Sequence, residues 1–292
     1  MLALKKKNMR LYLTRIRSKM IIAINYANKD FQKAQKLNLK TALKWGADKV
    51  IGYTPEDIDE EFFVRNKDIL SAKKGNGYYL WKPYFLNKAY QELSEGDYLI
   101  YTDAGSIFIN KIQYLIDCME KEKIELMAFS LPSDMLEKKY TKRDSFILMD
   151  CDTDEIVNTP QTIGGYVLLK KSNRVESFLK EDLLFAQDAR IITDSPNVMG
   201  KENYPEWITH RHDQSVFSLM CKKYGIKRFR DPSQYGIIGK FSDDVMEMSD
   251  YPQIIESHRM NVGSLLELKI KMICKHTMDY IKCNIRKKRR EH

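Results

Sequence analysis

The chain predicts an α/β fold, a mixed but mostly parallel sheet flanked by helices. Three observations carry that prediction. Short continuous apolar runs, the mark of buried strands, recur through the first 170 residues. Helical patterns of ten to seventeen residues alternate with them, as βαβ units require. Hydrophobic residues make up 43% and charged residues 30% of the 292, the balance of an ordinary globular protein.

In order, Met20 to Tyr26 (MIIAINY) reads as a first buried strand, followed by a helix from about Lys29 to Trp45. Lys49 to Tyr53 is a second strand, closed by Thr54-Pro55-Glu56-Asp57. Pro83 to Leu93 is helical, with proline in the first turn where its missing N–H costs nothing. Tyr98 to Thr102 is a strand that ends on Asp103-Ala104-Gly105-Ser106. A helix over Ile112 to Lys121 and a strand over Glu125 to Ser130 complete the regular half. Further on, Gly164-Gly165 opens a strand to Leu169, and Val175 to Phe185 is helical. Residues 186–212 read as a long loop, Asp213 to Tyr224 as a helix, and Gly225-Ile226 as the start of another strand.

Charge divides the chain further. Residues 1–20 hold seven Lys or Arg and no acid, and residues 264–292 hold nine against three. The whole-chain net of +9 therefore leaves residues 21–263 at −4. Three parts are expected: a basic segment at 1–19, a catalytic domain at 20–263, and a basic amphipathic helix at 264–292 with Leu266, Ile270, Ile273, Ile281 and Ile285 near one face. Such a helix suits an anionic membrane surface, or it docks on the body with its basic end in solvent. A nucleic-acid partner is disfavoured, because the basicity does not lie on the folded body. No stretch of eighteen apolar residues predicts a spanning helix. The first twenty residues lack the apolar core and cleavage site of a secretory signal. Five cysteines without a Cys-x-x-Cys pair predict a reducing compartment. The expected location is cytoplasmic, with peripheral attachment at the inner face of the plasma membrane.

Four constellations could carry chemistry. Asp103 stands at the carboxyl end of a buried strand, where open α/β sheets bind ligands, with small neighbours leaving room. A hard divalent cation there would want such a carboxylate plus substrate phosphates, although Asp-Ala-Gly-Ser is also turn chemistry. Asp213 and Gln214 begin a helix after the long loop, fit for capping or for holding sugar hydroxyls. His258-Arg259 ends an apolar run, where an imidazole could meet a metal and a guanidinium a diphosphate. Gly75 to Tyr84 (GNGYYLWKPY) offers a stacking wall or a core cluster, with Lys82 free for a phosphate or sugar. No Gly-x-x-x-x-Gly-Lys loop and no Gly-x-Gly-x-x-Gly after the first strand is present.

Together, Gly77-Tyr78-Tyr79-Leu80-Trp81-Lys82-Pro83-Tyr84, Gly96 to Gly105, Gly164-Gly165-Tyr166, His212 to Ser218 and His258-Arg259 resemble a GT-A nucleotide-sugar glycosyltransferase of bacterial capsule and lipopolysaccharide clusters. Their order is similar to glycosyltransferase family eight and its relatives over about residues 20–260. The resemblance implies a GT-A-like, Rossmann-like fold and transfer of a sugar from a nucleotide-diphosphate donor to a glycan or lipid-linked glycan in surface polysaccharide synthesis. It implies donor contacts at Ala23, Asn25, Tyr26, Lys82, Asp103 and Arg259, and acceptor contacts at Gly164, Gly165 and His212. Catalytic roles fall to Asp213 and Gln214, and Mn²⁺ or Mg²⁺ would be held by Asp103 and His258. One departure stands out: the second carboxylate of the Asp-x-Asp motif is Gly105 here. Asp103 and His258 then suffice with the diphosphate, or the enzyme is metal-independent, with Lys82 and Arg259 neutralising the leaving group. Other readings are an inactive nucleotide- or carbohydrate-binding module and a nucleotidyltransferase on a related sheet.

Overall fold

A computed structural model describes residues 19–272. Its six-stranded sheet runs in the order β2 (Lys49–Tyr53), β1 (Ile21–Tyr26), β3 (Tyr98–Thr102), β6 (Tyr166–Lys170), β5 (Leu126–Phe129), β7 (Arg228–Phe229). A two-stranded ribbon pairs β4 (Ser106–Phe108) with β8 (Ile255–Ser257). β1 lies parallel to β2 and β3, and β7 parallel to β5, while β6 runs against both its neighbours. The α/β class and the mixed sheet thus stand as the sequence predicted.

Strand periodicity explains the two-sided burial. In β1, Ile22 and Ile24 join the core on one face, and Ile21 and Ala23 join the core on the other. The same split recurs in β3, with Leu99 and Tyr101 against Tyr98 and Ile100, and in β6, with Val167 and Leu169 against Tyr166 and Leu168. A sheet covered on both faces needs apolar residues at every position, which is why these runs read as continuous. Helices α1 (Gln32–Lys44) and α3 (Gln113–Lys121) cover the second face. Helices α2 (Trp81–Tyr90), α4 (Asn173–Ala186) and α5 (Asp213–Lys223) cover the first.

Two expectations at chain level change. The strand anticipated at Gly225-Ile226 begins at Arg228 instead. Gly225 takes a left-handed φ of +61° and the Ile226 N–H returns to Cys221 O, so these residues close α5. The long loop at 186–212 contains a helical turn, Ala189–Ile192, and is tied to the body. Asp144 accepts the N–H groups of Val198 and Met199, His210 bonds Ile191 O, and His212 bonds Ile192 O.

At the C-terminal side, residues 265–272 are helical. Leu268 is buried with Leu37, Ile107 and Val262, whereas Leu266 and Ile270 are exposed. The rest of the expected amphipathic helix and the basic segment at 1–18 lie outside the described residues.

Candidate active site

The site forms where strand ends of opposite polarity meet. β3 ends at Thr102, which pairs with Tyr166 at the start of the reversed β6. The Asp103 N–H continues that ladder by donating to Gly165 O at 2.9 Å. The double glycine suits this approach: a Cβ on Gly164 would meet Gln214 Cβ at 2.9 Å, and one on Gly165 would press on Asp103 Oδ2 at 3.1 Å. Asp103 is thereby set at the sheet edge with its side chain 53% exposed.

Beneath it lies a buried charged cluster. Lys82, in the first turn of α2, places Nζ 2.7 Å from Asp213 Oδ2 and 3.6 Å from Asp103 Oδ1, and donates to Gly164 O at 3.0 Å. The Tyr101 hydroxyl donates to Asp103 Oδ1 at 2.7 Å. Burial opposes the charge on Lys82, but Asp103 and Asp213 outweigh it and hold the ammonium above the ordinary lysine range. Burial pushes the Asp213 carboxyl up to about 6, with Lys82 pulling the other way. A third carboxylate, Asp182 on α4, shares a small internal cavity with Lys82, Tyr101 and Asp213. Burial, and then the Asp213 charge, raise it to about 8, so it is held protonated at neutral pH.

Two clefts open over this cluster and share Asp103, Gly105 and Arg259. The first, about 430 Å³, is lined by Tyr26, Asn76, Tyr79, Trp81 and Asp30 among others. Tyr26 stacks on Trp81 with ring centroids 3.9 Å apart, and the Trp81 indole donates to Gly75 O. Asn76, Tyr78 and Tyr79 all have left-handed φ values, a strained turn that turns the GNGYY segment into a wall. The second cleft, about 480 Å³, is lined by Gly165, Tyr166, Arg211, Gln214, Asp231 and Tyr235 among others. Gln214 is braced there: its Oε1 accepts the Gly164 N–H and its Nε2 donates to Gln161 Oε1.

The residues singled out from sequence fall into three places. Tyr26, Asp103, Arg259, Gly165 and Gln214 line the clefts. Lys82, Asp213 and Gly164 stand behind them around the small internal cavity. Asp213 lines neither cleft and is paired with Lys82. Ala23, Asn25, His212 and His258 line neither cleft. Ala23 is packed in the core, and Asn25 donates to Asn38 Oδ1 at 2.7 Å, locking β1 to α1. His212 binds loop backbone and sits beside the Tyr78 and Tyr79 rings, so it braces the wall from behind.

The two expected metal ligands differ in setting: Asp103 is half-exposed where the clefts meet, whereas His258 is buried and lines neither cleft. The His258 Nδ1 accepts the Met260 N–H at 3.1 Å, and its Nε2 has no hydrogen-bond partner among the described residues. Among the described residues, no group of three or more His, Cys, Asp or Glu is placed to hold a metal ion.

Sequence reasoning missed Tyr101, Asp182 and Arg211. A signal for Asp182 was present: it continues the Val175, Phe178, Leu179, Ala186 stripe that α4 buries, and a carboxylate on an apolar stripe demands an explanation. Tyr101 read only as strand core, and Arg211 only as part of a loop.

No protein-family model and no curated sequence matches the chain. Solved structures that align with the chain include glycosyltransferases. Mouse xyloside xylosyltransferase 1 aligns over 84% of this chain and 98% of its own, at 11% identity and a TM-score of 0.46. The galactosyltransferase LgtC, solved with donor and acceptor sugar analogs, aligns over 81% and 86%, at 11% identity and 0.44. The bifunctional glycosyltransferase WbbM aligns over 84% of this chain but 47% of its own, at 8% identity and 0.46.

Proposed function

We propose that this chain transfers a sugar from a nucleotide-diphosphate donor to a hydroxyl of a glycan or lipid-linked glycan. The observation that carries the proposal is the pair of clefts meeting at Asp103, Gly105 and Arg259: one has an aromatic wall, the other a braced amide. Tyr26, Trp81 and Tyr79 suit a nucleobase and ribose in the first cleft, since aromatic stacking on a base is worth about 1–3 kcal/mol. The diphosphate then reaches the junction and the acceptor enters the second cleft beside Gln214. The anomeric C–O bond breaks with its electron pair left on the β-phosphate. The acceptor oxygen forms the new bond to the anomeric carbon, and its proton passes to the departing diphosphate. Cationic donors fixed at that oxygen lower the barrier, because negative charge grows there. Lys82, Asp213 and Tyr101 hold Asp103 at the edge where the sugar hydroxyls lie.

A panel of nucleotide-sugars tests this, read as donor hydrolysis and as transfer to added glycans. Wild type is expected to turn over at least one donor, and Asp103→Ala to lose that turnover while keeping its melting temperature. Wild-type rates from Asp103→Ala would remove the junction from the mechanism. Surface polysaccharide as the destination of the sugar fits the basic, partly apolar C-terminal segment, with Leu266 and Ile270 exposed as a membrane-proximal enzyme would have them.

A further inference from the structure

We propose that Arg259 stands in for the metal ion at this site, so that the nucleoside diphosphate binds and leaves without a divalent cation. The inference rests on reading the first cleft as the nucleotide cleft. Gly105 has little room on the side of Arg259. A Cβ there would lie 3.0 Å from Arg259 Cα and 3.4 Å from its nitrogen. A side chain there would press on that backbone, and the backbone is fastened: Gly105 O accepts the N–H groups of both His258 and Arg259, at 3.0 and 2.8 Å. Arg259 is held in this way at a φ of +56°, a conformation that long side chains rarely adopt. Strain of that kind persists where its surroundings over-determine it and gathers at ligand clamps.

The electrostatics select Arg259 over Lys82. The Lys82 ammonium already faces two carboxylates, Asp103 and Asp213, and lies under the floor of the clefts. Arg259 is exposed, lines both clefts, and forms no ion pair among the described residues. Its guanidinium lies 5.8 Å from the Tyr235 ring. The other charged groups facing the junction are Asp30, Asp103, Asp231 and Arg211. Asp231 spends one oxygen on the Ser233 N–H, and Arg211 is stacked over Tyr140 with a single weak hydrogen bond to Gln161. Arg259 is therefore the exposed cation common to both clefts. A guanidinium presents two parallel N–H donors to a phosphate, the geometry a departing diphosphate needs. His258 contributes the carbonyl-bound backbone that fixes this arginine, with its imidazole turned to Met260.

Calorimetric titration of the full chain with UDP, GDP and TDP, each in excess EDTA and again in millimolar Mn²⁺, tests the proposal. The tightest nucleotide is expected to bind within about threefold of the same affinity in both buffers. Arg259→Gln is expected to weaken it by about tenfold or more, the usual cost of a lost hydrogen bond to a charged group, and Arg259→Lys to recover part of that loss. Binding that EDTA abolishes and Mn²⁺ restores overturns the proposal, as does undiminished affinity in Arg259→Gln. The EDTA comparison uses wild type alone, so it stands even where a variant fails to fold. Absence of binding by all three nucleotides in both buffers would instead overturn the nucleotide reading on which the proposal rests.

Discussion

At the scale of single residues, the charged cluster makes predictions about pH. Asp213 holds Lys82 only when ionised, and burial has moved its carboxyl up to about 6. Transfer should therefore fall as pH drops through about 6, visible as an acid limb in kcat/KM. Asp213→Asn should lower transfer by about 10²-fold, the usual loss when one fixed electrostatic group is removed, and should lack that limb. Asp182 affects stability. Its folded value of about 8 lies above its unfolded value near 4, so the folded chain binds this proton more tightly. Its contribution is full below about pH 4 and is lost as pH rises through about 8. Asp182→Asn should gain melting temperature relative to wild type across that window, and a constant difference would remove the buried-proton assignment. Gly105→Asp should melt lower than wild type, because its Cβ meets the Arg259 backbone.

At the scale of elements, α5 aims the site and is itself anchored by a buried pair. Lys222 in its last turn lies 2.5 Å from the fully buried Glu137, which also receives the Ser218 hydroxyl. Removing one partner strands the other charge, so Lys222→Met should cost about 3–5 kcal/mol in denaturant unfolding. The GNGYY wall should behave differently. Tyr79 is partly exposed in the first cleft, and Tyr79→Ala should weaken nucleotide binding about tenfold with little change in melting temperature. The strand elements were legible in sequence because each is a local apolar run with a turn signal at its end. The β3 limits, Tyr98–Thr102, come out as read. The strand expected at Gly225 was misplaced because a helix-closing glycine and a strand-opening glycine look alike until the returning hydrogen bond is seen.

At the scale of the whole molecule, charge is distributed so that an acidic body carries basic ends. Among the described residues no helix is long and apolar enough to cross a membrane. Residues 265–272 dock through Leu268, so a deletion from 264 would uncover the Leu37, Ile107 and Val262 cluster. Removing residues 273–292 is the cleaner experiment, as it takes away seven Lys or Arg and leaves that docking in place. The full chain should bind anionic vesicles in a salt-sensitive manner and the shortened chain should not, each basic residue near the surface being worth about 1 kcal/mol. Equal binding by both would assign the basic tail to solvent.

Sequence alone determined the α/β class, the limits of β3 and the position of Asp103 at the carboxyl end of that strand, because these follow from periodicity and turn chemistry within a few residues. It also pointed to Arg259 and Gln214 as chemistry-bearing. Only the tertiary structure decided which charges meet. The reversal of β6 brings Gly164-Gly165 to the edge where β3 ends, and Lys82 is consumed by Asp103 and Asp213 from distant parts of the chain. His258 turns its Nδ1 to the Met260 N–H, and the Arg259 backbone packs close against Gly105. Such pairings depend on distances set by strand order and helix packing, which no local pattern encodes.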